Sequence, residues 1–96
     1  MPILVPGRRG GEHEEVRAVA LSAYILIQTE VGKAGGVAKT VGAIQGVQVA
    51  EGVTGPYDVI ARAEARNVDE LGKLVVARVQ AVEGITRTLT CPVVHL

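Results

Sequence analysis

Ala81-Val82-Glu83-Gly84-Ile85, with its echo at Ala43-Ile44-Gln45-Gly46-Val47, decides how this chain is folded. In both stretches a helical apolar pattern ends, a glycine follows, and a β-branched residue opens a new run. Glycine fits there because a helix often stops on a residue in the left-handed conformation, which costs glycine nothing. Each stretch is preceded by a similar start, Tyr24-Ile25-Leu26-Ile27 in one case and Tyr57-Asp58-Val59-Ile60 in the other. The chain therefore reads as one strand–helix–strand unit used twice.

Working outward, Leu21–Glu30 reads as a strand with apolar residues on both faces: Ala23, Ile25 and Ile27 on one, Tyr24 and Leu26 on the other. A strand that is apolar on both faces is covered on both. Ala34, Val37, Ala38, Val41 and Ile44 recur at helical spacing. Val47, Val49, Glu51 and Val53 alternate as a second strand, and Thr54-Gly55-Pro56 forms a turn into a third, Tyr57–Ala65. Asn67 caps a second helix, with Glu70 three residues on completing a capping-box-like pair. Val68, Leu71, Val75, Val79 and Val82 make its buried stripe. Ile85–Cys91 is the fourth strand, and Val93-Val94-His95-Leu96 is expected to extend as an edge strand or as one exchanged with another copy.

The order β-α-β-β-α-β is the ferredoxin-like arrangement, an α+β fold. Right-handed crossovers place both helices on one face of the sheet. The other face is then bare, with Leu26, Ala50, Ile60 and Leu89 as its expected apolar residues. Residues 1–20 differ in character. Pro6-Gly7-Arg8-Arg9-Gly10-Gly11 resembles a linker and Glu12-His13-Glu14-Glu15 is a charged run, so 1–20 is read as an extension and 21–96 as the domain.

Composition points the same way. The chain has 96 residues, 48% of them apolar but only 2% aromatic, with 17 valines and neither Phe nor Trp. So small a chain hides only roughly 60–65% of its unfolded surface, so that much aliphatic content predicts self-association. Ten basic residues balance ten acidic ones. That argues against direct nucleic-acid binding, which needs a basic excess. One cysteine, Cys91, forms no internal disulfide, and a reducing, cytoplasmic location is expected. No apolar run approaches the roughly 20 residues of a membrane span.

Catalytic and metal sets are missing from the pattern. Cys91 and His95 are four residues apart on an extended segment, roughly 13 Å, too far for a shared metal or a thiolate–imidazole pair. Cys91 is read as a small buried apolar residue. Gly32, Gly35 and Gly36 match no phosphate-loop spacing and are assigned to turn and close packing. No cofactor, metal or enzymatic activity is expected.

One segment stands apart, Val53-Thr54-Gly55-Pro56-Tyr57-Asp58. Asp58 sits at a strand start, where β-propensity disfavours it. Two readings are open. Asp58 receives the ammonium of a zwitterion whose carboxylate meets backbone N–H groups or threonines, or it merely accepts turn amides in an ordinary hairpin.

The stretch Val53-Thr54-Gly55-Pro56-Tyr57-Asp58-Val59-Ile60 resembles the motif of the effector-binding domain of Lrp/AsnC regulators, the regulation-of-amino-acid-metabolism domain. Ala23-Tyr24-Ile25-Leu26-Ile27 is similar to the family's first strand, and Val82-Glu83-Gly84-Ile85-Thr86-Arg87-Thr88-Leu89-Thr90 to its last turn and strand. The resemblance covers about residues 21–94. It implies a dimeric α+β barrel with two sheets face to face, and dimers assembled into octamers or decamers. It also implies a small effector, usually an amino acid, bound between dimers near the hairpin. Carried over by position, Gly55, Tyr57 and Asp58 match the motif, Thr54 and Pro56 flank it, and Thr88 and Thr90 lie on a nearby strand. Residues 1–20 are too short for the helix-turn-helix domain of full regulators. The resemblance is therefore to stand-alone members, with full-length relatives as possible partners and no direct DNA or membrane contact. Two other classes share the element order: small barrel monooxygenases, which want a His, Asn or aromatic pocket, and ACT-type amino-acid modules, which pair sheets side by side.

Overall fold

The computed structural model describes residues 21–95; the expected N-terminal extension, 1–20, lies outside the described residues. Strand β1 (Leu21–Thr29) leads into helix α1 (Ala34–Gly42), strands β2 (Val47–Gly52) and β3 (Val59–Ala65), helix α2 (Val68–Lys73) and strand β4 (Ile85–Pro92). The last turns of α2 widen into π-helix over Leu74–Val79. The four strands form one sheet in the order β2-β3-β1-β4, every neighbouring pair antiparallel. This is the doubled strand–helix–strand fold expected from the repeat.

Alternation along the two central strands creates the core. Ala23, Ile25 and Ile27 of β1 and Val59, Ala61 and Ala63 of β3 are all fully buried. Against them lie Val37, Val41 and Ile44 from the first helical unit and Leu71, Val75 and Val79 from the second. Alanine on the sheet lets the helices sit close, so a core of Val, Ile and Ala fills without aromatic rings. Among the described residues no polar side chain is buried.

Four expectations from the sequence need correction. Ala50, which alternation assigns to the bare face, stands opposite Ala61 and packs on the helix side. The reason is a bulge: Val47 pairs with Ala63 and Val49 with Arg62, so Gln48 is an extra residue and the strand changes face across it. Val68 is 72% exposed and leaves the buried stripe. Leu71, Val75 and Val79 recur every four residues, as the wider π turns require, and the Gln80 N–H reaches back five residues to the Val75 carbonyl at 2.8 Å. The third strand begins at Val59 rather than Tyr57. Gly35 and Gly36 lie within α1 with open space around them, and nothing in the structure explains glycine there.

The α2 cap follows its sequence closely. The Asn67 side-chain oxygen accepts the Glu70 N–H at 2.9 Å. Glu70 reaches back one residue further than in a standard capping box, accepting the Arg66 N–H at 3.2 Å and the Arg66 guanidinium. That side-chain bond holds the Glu70 carboxyl below its ordinary range. A lowered folded-state pKa means the pair supports the fold above the ordinary carboxylate range, and the support fades as pH falls through it.

Gly46 and Gly84 both adopt φ +98°, as the repeat requires. At Gly84 a Cβ would also sit 3.1 Å from Lys33 Cβ and 3.2 Å from Val37 Cγ2. Gly84→Ala should therefore lose on the order of 1–3 kcal/mol in urea unfolding. Gly35→Ala, in an unobstructed helical position, should gain up to about 1 kcal/mol. Equal stability for the two variants would refute the assignment.

Candidate functional site

The bare sheet face and the hairpin at its end are where the fold leaves chemistry exposed. On that face Tyr24 stands opposite both Arg62 and Cys91, and Leu26 opposite both Ile60 and Leu89. Tyr24 on a central strand and Val49 and Leu89 on the two edge strands are 42%, 42% and 43% exposed. Arg62 lies across Tyr24, donating from Nη1 to the phenol oxygen at 2.7 Å, with its guanidinium carbon 5.2 Å from the ring centroid. Cys91, expected to be buried, is exposed, because its pairing with Tyr24 puts it on the uncovered side.

The hairpin joins β2 to β3. The Val53 N–H donates to the Asp58 carbonyl at 2.9 Å and closes the loop over Thr54–Tyr57. Gly55 takes φ +129°, a conformation that favours glycine. Thr54, Gly55 and Pro56 are exposed, and Tyr57 and Asp58 half-buried. Two side chains tie this loop to the end of β1. Gln28 Nε2 donates to the Pro56 carbonyl at 3.0 Å. Asp58 Oδ2 accepts the Thr29 N–H at 2.8 Å. Thr29 lies where the β1–β4 register shifts, so Asp58 satisfies an amide displaced from the ladder. One oxygen of Asp58 thus acts as an ordinary turn acceptor. Its Oδ1 accepts no hydrogen bond among the described residues.

Thr88 and Thr90 stand opposite Ile27 and Ile25, on the helix side of β4. The Thr88 hydroxyl accepts Gln80 Nε2 at 2.9 Å. Thr88 is level with the hairpin, two strand spacings or roughly 10 Å from β3, and Thr90 is roughly 7 Å further along the strand. The structure therefore brings Thr54–Asp58 and Thr88 to one end of the sheet and leaves Thr90 off it. A concavity of about 380 Å³ lies against the start of β4, lined by Gln80, Ile85, Thr86, Arg87 and Thr88 and by no residue of the hairpin. Sequence reading missed Gln28 and Arg87, which the strand register places opposite each other at this end. No group of three or more potential metal ligands occurs among the described residues. No helix among them is long and apolar enough to cross a membrane.

Comparison with known families gives a match to the Lrp/AsnC ligand-binding domain over residues 22–95. The chain belongs to this family. Among solved structures it is similar to TTHA0845 from Thermus thermophilus, with 26% identity and a TM-score of 0.74 over 79% of this chain and 95% of that one. It has the fold of AsnC from E. coli, at 17% identity and TM-score 0.76, covering 95% of this chain and 61% of that one. The same holds for the transcriptional regulator NMB0573 from Neisseria meningitidis, solved as an L-Met complex, at 17% identity, TM-score 0.73, and 95% and 60% coverage. The chain thus spans about three-fifths of the length of those two regulators. No curated protein sequence matches it. The Lrp/AsnC domain is a ligand-binding domain of transcriptional regulators.

For this Lrp/AsnC domain the Asp58–Thr29 contact yields a stability test. Asp58→Ala leaves a half-buried amide unpaired and should cost about 1–3 kcal/mol in urea unfolding. Asp58→Asn keeps an acceptor and should cost less. An alanine variant as stable as the wild type would show the contact to be idle.

Proposed function

We propose that this domain senses a small effector, an α-amino acid, at the Thr54–Asp58 hairpin, and that it does so as an assembly of face-to-face dimers with a regulatory role. The observation that carries the reading is the family match, which spans both the hairpin and β4. The open face supports the dimer: Tyr24, Leu26, Val49, Ile60 and Leu89 together form an apolar surface on a sheet whose other side is already filled. A second copy with the same surface covers it with an isologous contact. The amino-acid class is supported by the L-Met complex of NMB0573 and by the polar character of the hairpin end.

Asp58 Oδ1 receives the effector's ammonium in this reading, while Oδ2 keeps the loop docked. Gly55 lets the backbone approach closely, and Tyr57 provides a ring beside it. Thr54, Pro56 and Thr88 complete the surround, with Thr90 as a more distant member. The regulatory output runs through association: effector occupancy at the sheet end shifts the assembly, or its mixing with full-length relatives of the family through shared sheet edges.

A thermal-shift screen with the twenty amino acids tests this. A ligand that binds only the native state raises its melting temperature, by about 2.7 kcal/mol of stability at a hundredfold excess over Kd. At least one amino acid should produce a saturable rise. A flat response across all twenty at millimolar concentration would refute the amino-acid reading.

A further inference from the structure

At the end of the sheet away from the hairpin, the turn after α1 meets the close of β3 and one side of α2. β3 runs from Val59, beside the hairpin, to Ala65, six residues or roughly 20 Å further on. Gln45, Gly46 and Ala65 there border a concavity of about 520 Å³ with residues of α2 and its π-helical continuation. That volume falls within the roughly 300–1,000 Å³ of small-molecule sites. The concavity lies on the helix side of the sheet, so a second copy on the open face leaves it accessible.

Ala65 and Leu74, both half-buried, and Ala77 supply its apolar lining. Beside them stand Lys73 and Arg78. Both are exposed, and neither side chain makes a hydrogen bond or ion pair among the described residues. The two carboxylates nearby are turned elsewhere. Glu70 accepts the Arg66 guanidinium with both oxygens, at 3.2 Å on Oε1 and 3.0 Å on Oε2. That bond chiefly holds its carboxyl below the ordinary range, with Lys73 adding a lesser coulombic share. Glu64 alternates with Ala63 and Ala65, which pack toward the helices, so its side chain belongs to the open face. What fixes it beside the concavity is its main chain, whose N–H donates to the Gly46 carbonyl at 2.8 Å.

Helix geometry brings the two free cations together. In an α-helix, residues five apart point about 140° away from each other, so Lys73 and Arg78 would diverge. Over Leu74–Val79 the hydrogen bonds span five residues, and a separation of five closes one turn. The wider turn sets Arg78 over Lys73, on the side that also carries Leu74 and Ala77.

We infer that this concavity binds a small phosphomonoester, its phosphate on Lys73 and Arg78 and its apolar body against Ala65, Leu74 and Ala77. A phosphomonoester carries about two negative charges at neutral pH, matching two uncompensated cations. Arginine offers two oxygens a planar fork and lysine adds a point charge. The side-chain amide of Gln45 is a neutral donor at the same rim. The inference stands apart from the amino-acid reading, since the concavity shares no residue with the hairpin or with Thr88 and Thr90.

The test is calorimetric titration of phenyl phosphate, benzoate and inorganic phosphate into the wild type, Lys73→Gln, Arg78→Gln and Lys39→Gln. Lys39 is an exposed cation of α1 outside the concavity and controls for net charge. Phenyl phosphate should bind the wild type at one per chain, more tightly than benzoate or inorganic phosphate, each of which lacks part of the match. Lys73→Gln and Arg78→Gln should each bind it about tenfold or more weaker, and Lys39→Gln as the wild type does. Absence of saturable heat with millimolar phenyl phosphate overturns the inference. So does an equal loss in Lys39→Gln, which marks a diffuse charge effect, or unchanged affinity in both site variants. Benzoate binding as tightly as phenyl phosphate also overturns it, since the site then takes carboxylates.

Discussion

A sheet that is apolar on both sides but covered on one is the constraint from which the rest follows. β1 and β3 carry Ala23, Ile25, Ile27, Val59, Ala61 and Ala63 toward the helices, and Tyr24, Leu26, Ile60 and Arg62 away from them. Two helices of modest length fill the first side. Among the described residues no element fills the second, because both crossovers share one hand and therefore one face. A partner surface is the physical solution, and the polar groups collect at the end of the sheet, where the hairpin and β4 emerge beyond the apolar patch.

The fold was legible because its signals are periodic or conformational. Helical spacing at Val37, Val41 and Ile44, and the glycines at 46 and 84, depend on local geometry that neighbouring residues display directly. The errors arose where one residue changes a count. Gln48 inserts a bulge, which moved Ala50 from the open face to the core side. Val68 is the first residue of α2 and faces solvent, while the π turns after Lys73 set the four-residue spacing of Leu71, Val75 and Val79. The residue type of Cys91 favours burial, whereas its register opposite Tyr24 decides its exposure.

The candidate site was legible in part for a different reason. Asp58 stood out because an aspartate is unusual at a strand start, and the structure gives it a structural duty, the Thr29 amide, that sequence spacing does not display. Gln28 and Arg87 were invisible because each is an ordinary polar residue on an exposed strand. Only the pairing of β1 with β3 and β4 brings them to the Asp58 end of the sheet, 30 and 29 positions away along the chain respectively. The strand whose middle carries the apolar face, β1, is also the one whose end holds the hairpin, through Gln28 and Thr29.

The claim that the open face is closed by a second copy is tested most directly by sedimentation equilibrium of the purified chain at micromolar concentration, with and without Leu26→Asp on that face. The account predicts a mass of at least two chains for the wild type and a shift toward the single-chain mass of 10.0 kDa for the variant. A wild-type chain that sediments as a stable monomer would contradict it.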